Sequence, residues 1–164
     1  MSEAMSASDH ALGATAIAAG LMDRLAAIAA AEDDRATRAS KAADWIRSER
    51  NFHWVGLYDV TRDEIRILGS TSADAAAFPN FPRSHGLNGA AVSSGSPIIC
   101  NDVRNDTRYL ATFGATRAEA VVPVRSGGSI VGTIDVESER VNAFTADDED
   151  FLVKCAVALE RLWR

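Results

Sequence analysis

The stretch EAVVPVRSGGSIVGTIDVES, Glu119 to Ser138, limits the fold more than any other part of the chain. Two runs rich in Val and Ile flank Gly127-Gly128. Paired glycines suit a tight two-residue hairpin turn, whose central residues sit at positive φ. A chain that carries this hairpin is committed to antiparallel sheet. Pro123 has no N–H for a ladder, so it asks for an edge position or a bulge. A two-residue turn sets Ala120 opposite Asp135. That register puts Asp135 and Glu137 on one face and Glu119 on the other. The three acids converge only if a bulge, expected at Pro123, shifts the phase by one residue.

Other segments supply the rest of an α+β pattern. Residues 1–9 are small and polar and are expected to be a disordered tail. From Ala11 to Ala31 the chain is alanine-rich, with Leu12, Ile17, Leu21, Leu25 and Ile28 at helical spacing. Such a stripe needs a partner, either the domain or a second copy of itself, so a homodimer through this helix is one expectation. A second helix is predicted over Thr37–Arg50, with Ala42, Trp45 and Ile46 on one face. The period then changes to two. In FHWVGLYDV, Phe52, Trp54, Tyr58 and Val60 share one side, and His53, Val55 and Leu57 share the other. TRDE reads as a turn and IRILGST as the return strand. Residues 72–86 read as a long loop, 87–95 as a short helix ended by Gly95, and PIICNDV as a strand. A second polar connection, 104–118, carries a predicted helical turn near Tyr109–Phe113. Thr145 followed by acids at 147–150 is a helix start, and Phe151, Leu152, Cys155, Ala158, Leu159 and Leu162 form its apolar stripe.

Composition excludes several function classes. A net charge of −6 with no basic cluster argues against nucleic acid and anionic membrane partners. No apolar run is long enough to cross a bilayer. The N-terminal residues show no signal-peptide pattern, and two cysteines in such a chain point to reduced thiols and a cytoplasmic location. Cys100 and Cys155 form no CxxC pair, and the histidines stand apart at 10, 53 and 85. Count and spacing therefore give no conventional zinc site, and no cofactor is expected.

The WVGLY strand, the GLNGAAV turn into a helix, the strand ending in NDV, the VVPV…GTIDVES hairpin and the FTADDEDFL helix start resemble a GAF domain. The resemblance runs from about Asp44 to the C-terminus, which divides the chain into a tail at 1–9, a helical segment at 10–43 and the domain at 44–164. Within that superfamily the chain is most similar to the free methionine-(R)-sulfoxide reductases, single-domain enzymes that reduce the free amino acid and are recycled by thioredoxin. The resemblance implies that Trp54 and Tyr58 line a pocket around a ligand side chain. It also implies that Glu119, Asp135 and Glu137 hold its amino group; the last is usually Asp in the family. The family's cysteine positions fall at Phe78, Asn88 and Thr112, none of which is cysteine. Sulfoxide reduction needs one thiolate to attack sulfur and a second thiol to resolve the product, so the resemblance implies a kept pocket without the known chemistry.

The residues themselves leave two alternatives open. Spacing alone favours a solvated strand end with scattered acids and two core aromatics. If the acids instead converge in a dry site, repulsion and desolvation raise at least one pKa, and an ammonium or guanidinium would relieve that strain. Trp54 and Tyr58 would then offer an apolar or cation-attracting wall. The candidate ligand-binding set is Trp54, Tyr58, Asn88, Glu119, Asp135 and Glu137. The expected partner is a small amino-acid-like or amine-bearing molecule. A competing expectation is an enzyme, with Cys100 as a displaced redox thiol or with an acid or His85 as proton carrier. Buried packing is the more ordinary role for both cysteines.

Overall fold

The computed structural model describes residues 7–71, 78–111 and 113–164. Helices α1 (Ala7–Ala29) and α2 (Arg35–Arg50) lead into strands β1 (Trp54–Val60), β2 (Glu64–Ser70) and β3 (Asn80–Pro82). Helix α3 (Gly86–Ser94) and strand β4 (Ile98–Cys100) follow. The hairpin β5 (Ala118–Ser126) and β6 (Ser129–Ser138) precedes the terminal helix α4 (Ala146–Ala158). The strands form one six-stranded antiparallel sheet in the order β3-β2-β1-β6-β5-β4.

Local chemistry explains the element ends. Asp34 caps α2 by accepting from the Thr37 N–H at 3.0 Å. Asn51 closes the helix in the left-handed region at φ 52°. Gly95, at φ 68°, does the same for α3. Thr145 starts α4 through a reciprocal capping box with Asp148, as its position before the acids predicted. Gly127 and Gly128 both take positive φ in the hairpin turn.

The sheet has two different faces. Val55, Leu57, Ala120, Val122, Val124, Ile134 and Val136 pack against Leu25, Ala42, Ala43, Ile46, Leu152 and Cys155 of α1, α2 and α4, and against Leu159 just after α4. This is the main core. The opposite face carries Trp54 and Tyr58 and is covered by α3. Phe52 does not join Trp54 as predicted. It precedes the strand and packs in the main core beside Phe144 and Phe151.

Several boundaries differ from the sequence expectations. A three-residue edge strand, β3, pairs Phe81 with Ile65 inside the predicted loop; its isolated Asn-Phe-Pro has no alternation to betray it. The PIICNDV strand shrinks to Ile98–Cys100, because Asp102 turns the chain into a 3-10 turn at Val103–Asn105. The helical turn expected near Tyr109–Phe113 is not seen among the described residues of that span, of which Thr112 is not one. Pro123 falls beyond the end of β4, which pairs only with residues 119–121, so one side of β5 is open there. Residues 1–6 of the expected tail and 72–77 of the long loop lie outside the described residues.

Gly132 lies on the core face, where a Cβ would stand 2.3 Å from the Trp163 ring and 2.7 Å from the Tyr58 carbonyl. The ring is held there by its Nε1–H donating to Asp59 at 2.8 Å. Gly132→Ala should therefore cost about 1–3 kcal/mol in urea unfolding, as overpacking does. An unchanged midpoint would mean that the C-terminal ring is free to move away.

Candidate functional site

The hairpin register decides the site. Beyond the turn, Ser126 pairs with Ser129 and Arg125 with Ile130, as a two-residue turn requires. The next pair is Val124 with Gly132, so Val131 is an extra residue on β6. The expected bulge exists, but it sits on the other strand from Pro123. It shifts every later pair by one residue. Glu119 consequently faces Glu137, and Val121, not Ala120, faces Asp135. Val131 is partly buried and packs against the main core, which gives the extra residue an apolar anchor.

Directly opposed residues project to the same face, so the pairing generates rows. One row reads Trp54, Glu137, Glu119, Cys100 across β1, β6, β5 and β4. The next reads Gly56, Asp135, Val121, Ile98, and the third reads Tyr58, Thr133, Pro123. Three carboxylates and both aromatics thus meet on one face. All are buried, as are Asn88, Thr116 and Thr133. This rules out the alternative of a solvated strand end.

Helix α3 supplies the lid over the middle row. Asn88 donates through Nδ2 to Asp135 at 2.8 Å and accepts from the Thr133 hydroxyl through Oδ1. Its amide orientation is fixed by those two opposite requirements. Thr116 donates to Glu137. The second oxygen of Asp135 and the indole N–H of Trp54 have no hydrogen-bond partner. The Trp54 ring lies over Gly56, where a Cβ would approach it to 2.3 Å, and meets Phe113 edge-on at 5.3 Å. Tyr58 makes a similar edge contact with Phe81 at 5.8 Å.

Burial pushes the Glu119 carboxyl well above the usual carboxylate range, and Asp135 and Glu137 add to this by repulsion. Asp135 is raised for the same two reasons, burial before repulsion by Glu137, against a lowering bond from Asn88. Tyr58 is raised by burial and then by the three acids. Tyr109, nearby, is pushed up to about 12, mainly by burial. Among the described residues no group of three or more His, Cys, Asp or Glu is set to hold a metal ion, so the acids share a face without forming a metal cage.

The remaining described candidates fall outside the cluster. Phe78 is 40% exposed, and Thr112 lies outside the described residues. Cys100 ends the acid row but packs with Leu87, Ala91, Val103 and Val121. Burial raises its thiol, which keeps it protonated and a poor nucleophile. Cys155 lies in the main core, its thiol pushed up to about 12 by burial. His53 is exposed and pairs with Glu139 at 3.6 Å. His85 caps α3 without a side-chain bond to it. Two contributors were missed from the sequence. Gly56 was detectable, since it lies midway between Trp54 and Tyr58 on one face. Thr116 sits in an irregular connection, where no periodicity points to it.

The raised acids set a sign for pH dependence. A carboxyl with a raised folded pKa binds more protons when folded, so its contribution to stability is complete below the unfolded value and lost as pH rises through the folded one. Removing that charge should help the free protein increasingly above the ordinary glutamate value of 4.5. Glu119→Gln should stabilise it at pH 8 by on the order of 1–3 kcal/mol and leave it nearly unchanged at pH 4. Urea melts at both pH values measure this. A destabilised variant at pH 8 would show that the carboxylate is well satisfied in the free protein.

The GAF domain family model matches residues 22–157. GAF domain-containing protein A of Dictyostelium discoideum is 24% identical over 140 residues, spanning 85% of this chain and 88% of that protein. The free methionine-R-sulfoxide reductase of Escherichia coli is 27% identical over 127 residues, 77% of this chain and 76% of the enzyme. The X-ray structure of the free methionine-R-sulfoxide reductase of Neisseria meningitidis, in complex with its substrate, superposes with a TM-score of 0.79 at 26% identity. It covers 99% of this chain and 95% of that one. The chain belongs to the GAF domain family, as a relative of the free methionine-R-sulfoxide reductases that lacks their catalytic cysteine cluster.

Proposed function

We propose that this GAF domain binds a small amino-acid-like or amine-bearing ligand at the face formed by Trp54, Tyr58, Asn88, Glu119, Asp135 and Glu137. The observation that carries this reading is the burial of three carboxylates on one face, with Glu119 and Asp135 in no ion pair among the described residues. Buried charge is ordinarily paired. A ligand ammonium would supply the missing partner, and the free oxygen of Asp135 gives it an acceptor. The Trp54 and Tyr58 rings would border its side chain, and a ring face turned to the ammonium would attract it.

The reductase chemistry of the relatives does not come with the site. Phe78 and Asn88 cannot form or exchange a disulfide, and neither can Thr112. Asn88 is instead committed to Asp135 and Thr133. Cys100 is buried, which raises its thiol, and a single thiol leaves no second one beside it to resolve an oxidised product. The domain then acts as a binding module, with specificity set by the acids and the aromatic wall.

Calorimetric titration with both diastereomers of free methionine sulfoxide, and with methionine, tests this. Saturable binding is expected for at least one of them. Glu119→Gln and Asp135→Asn should each weaken it about tenfold or more, equivalent to losing about 1.4 kcal/mol. No saturation with any of the three would remove methionine derivatives from the ligand class. Thiol-dependent turnover that disappears in Cys100→Ser would replace the binding module by an enzyme.

A further inference from the structure

A cleft of about 890 Å³ borders α3 and is lined by Arg62, Arg83, His85 and Arg108, among others, with none of the three buried acids in its lining. The three arginines come from separate segments. Arg62 lies in the β1–β2 turn, Arg83 in the link between β3 and α3, and Arg108 in the connection after the 3-10 turn. Three guanidiniums stand against the carboxylates of Asp63, which also lines the cleft, and Asp106, which pairs with Arg108. The cleft is therefore net positive, in a chain whose overall charge is −6.

Two of the guanidiniums are aimed by neighbours. Arg83 donates through Nη1 to the Thr61 carbonyl at 2.6 Å. Arg108 donates through Nε and Nη2 to the two oxygens of Asp106 at 2.9 and 2.6 Å. An arginine has five N–H donors, so both keep donors for a further acceptor. Arg62 is exposed and forms no ion pair among the described residues. The floor is rigid. Gly89 of α3 lies so close to the preceding link that a Cβ would stand 2.5 Å from the Ser84 carbonyl carbon. Gly86 borders the cleft at the first turn of α3, which adds partial positive charge. Ser84, Ser93 and Thr107 contribute hydroxyls.

We propose that this cleft binds the phosphoryl group of a small phosphorylated metabolite. A phosphoryl group takes several N–H donors at once, and planar guanidinium forks match its oxygens. The volume leaves room for more than inorganic phosphate. A nucleic acid is disfavoured by the net negative chain and by a cleft in place of an extended basic stripe. The site is chemically the inverse of the acid cluster and does not depend on what that cluster binds.

Calorimetry on the full chain at low ionic strength, with inorganic phosphate, pyrophosphate and adenosine 5′-monophosphate as probes, tests the assignment. Saturable binding is expected for at least one probe, weakening in high salt. Arg62→Gln and Arg83→Gln should each reduce affinity roughly tenfold, as loss of a charge-assisted contact does. Arg62 has no described ion pair to lose, so its variant should keep the wild-type melting midpoint. Glu119→Gln should bind the probes like wild type. No saturation with any probe, full affinity in both arginine variants, or loss of binding in Glu119→Gln would each overturn the proposal.

Discussion

Glu119 and Glu137 face each other across an antiparallel pair, with Asp135 two residues along the same face. Like charges directly opposite repel even at a surface, and here all three side chains are buried. Much of the site-face structure makes sense as containment of that conflict. Asn88 reaches down from α3 to one oxygen of Asp135, and Thr116 donates to Glu137. Burial and repulsion together favour holding protons on Glu119 and Asp135 in the free protein. Among the described residues no side-chain cation forms an ion pair with Glu119 or Asp135, although the sheet could have placed one opposite Asp135, where Val121 stands.

The fold can carry this because its stability comes from elsewhere. The core of Val55, Leu57, Ile134 and Val136 against α1, α2 and α4 lies wholly on the other face. The chain is tied off there by Trp163 over Gly132, by the indole bond to Asp59, and by Arg35, which donates to Asp59 and to the Leu162 carbonyl. Separation of a structural face from a chemical face lets the latter hold poorly satisfied groups. Such groups lower the stability of the free protein, and the proposed ligand would give them a partner.

Helix α3 connects two environments of opposite charge. Its inward residue Asn88 meets the acids, and its outer edge, with Gly86 and Gly89, borders the arginine cleft. Both ends of the helix are glycines at positive φ, Gly86 and Gly95. The position that resembles a catalytic cysteine in the reductases is here an amide that fastens this helix to β6.

The sequence alone determined the antiparallel hairpin, the caps at Thr145 and Gly95, the alternation of Trp54 and Tyr58, and the absence of cysteine at Phe78, Asn88 and Thr112. These are local: a turn needs paired glycines, a helix start needs an oxygen, and a strand repeats every two residues. It also located Glu119, Asp135 and Glu137 as acids, and it named a bulge as the condition for their meeting. Only the tertiary structure decided that the bulge falls at Val131. Nothing in Gly-Ser-Ile-Val-Gly distinguishes a regular pair from a bulged one; the choice depends on how Val131 packs against the core beneath. The partnership of Asn88 with Thr133, the edge strand at Asn80–Pro82 and the convergence of three distant arginines were equally invisible. Each depends on segments far apart in the chain, which are brought together by packing and not by local pattern.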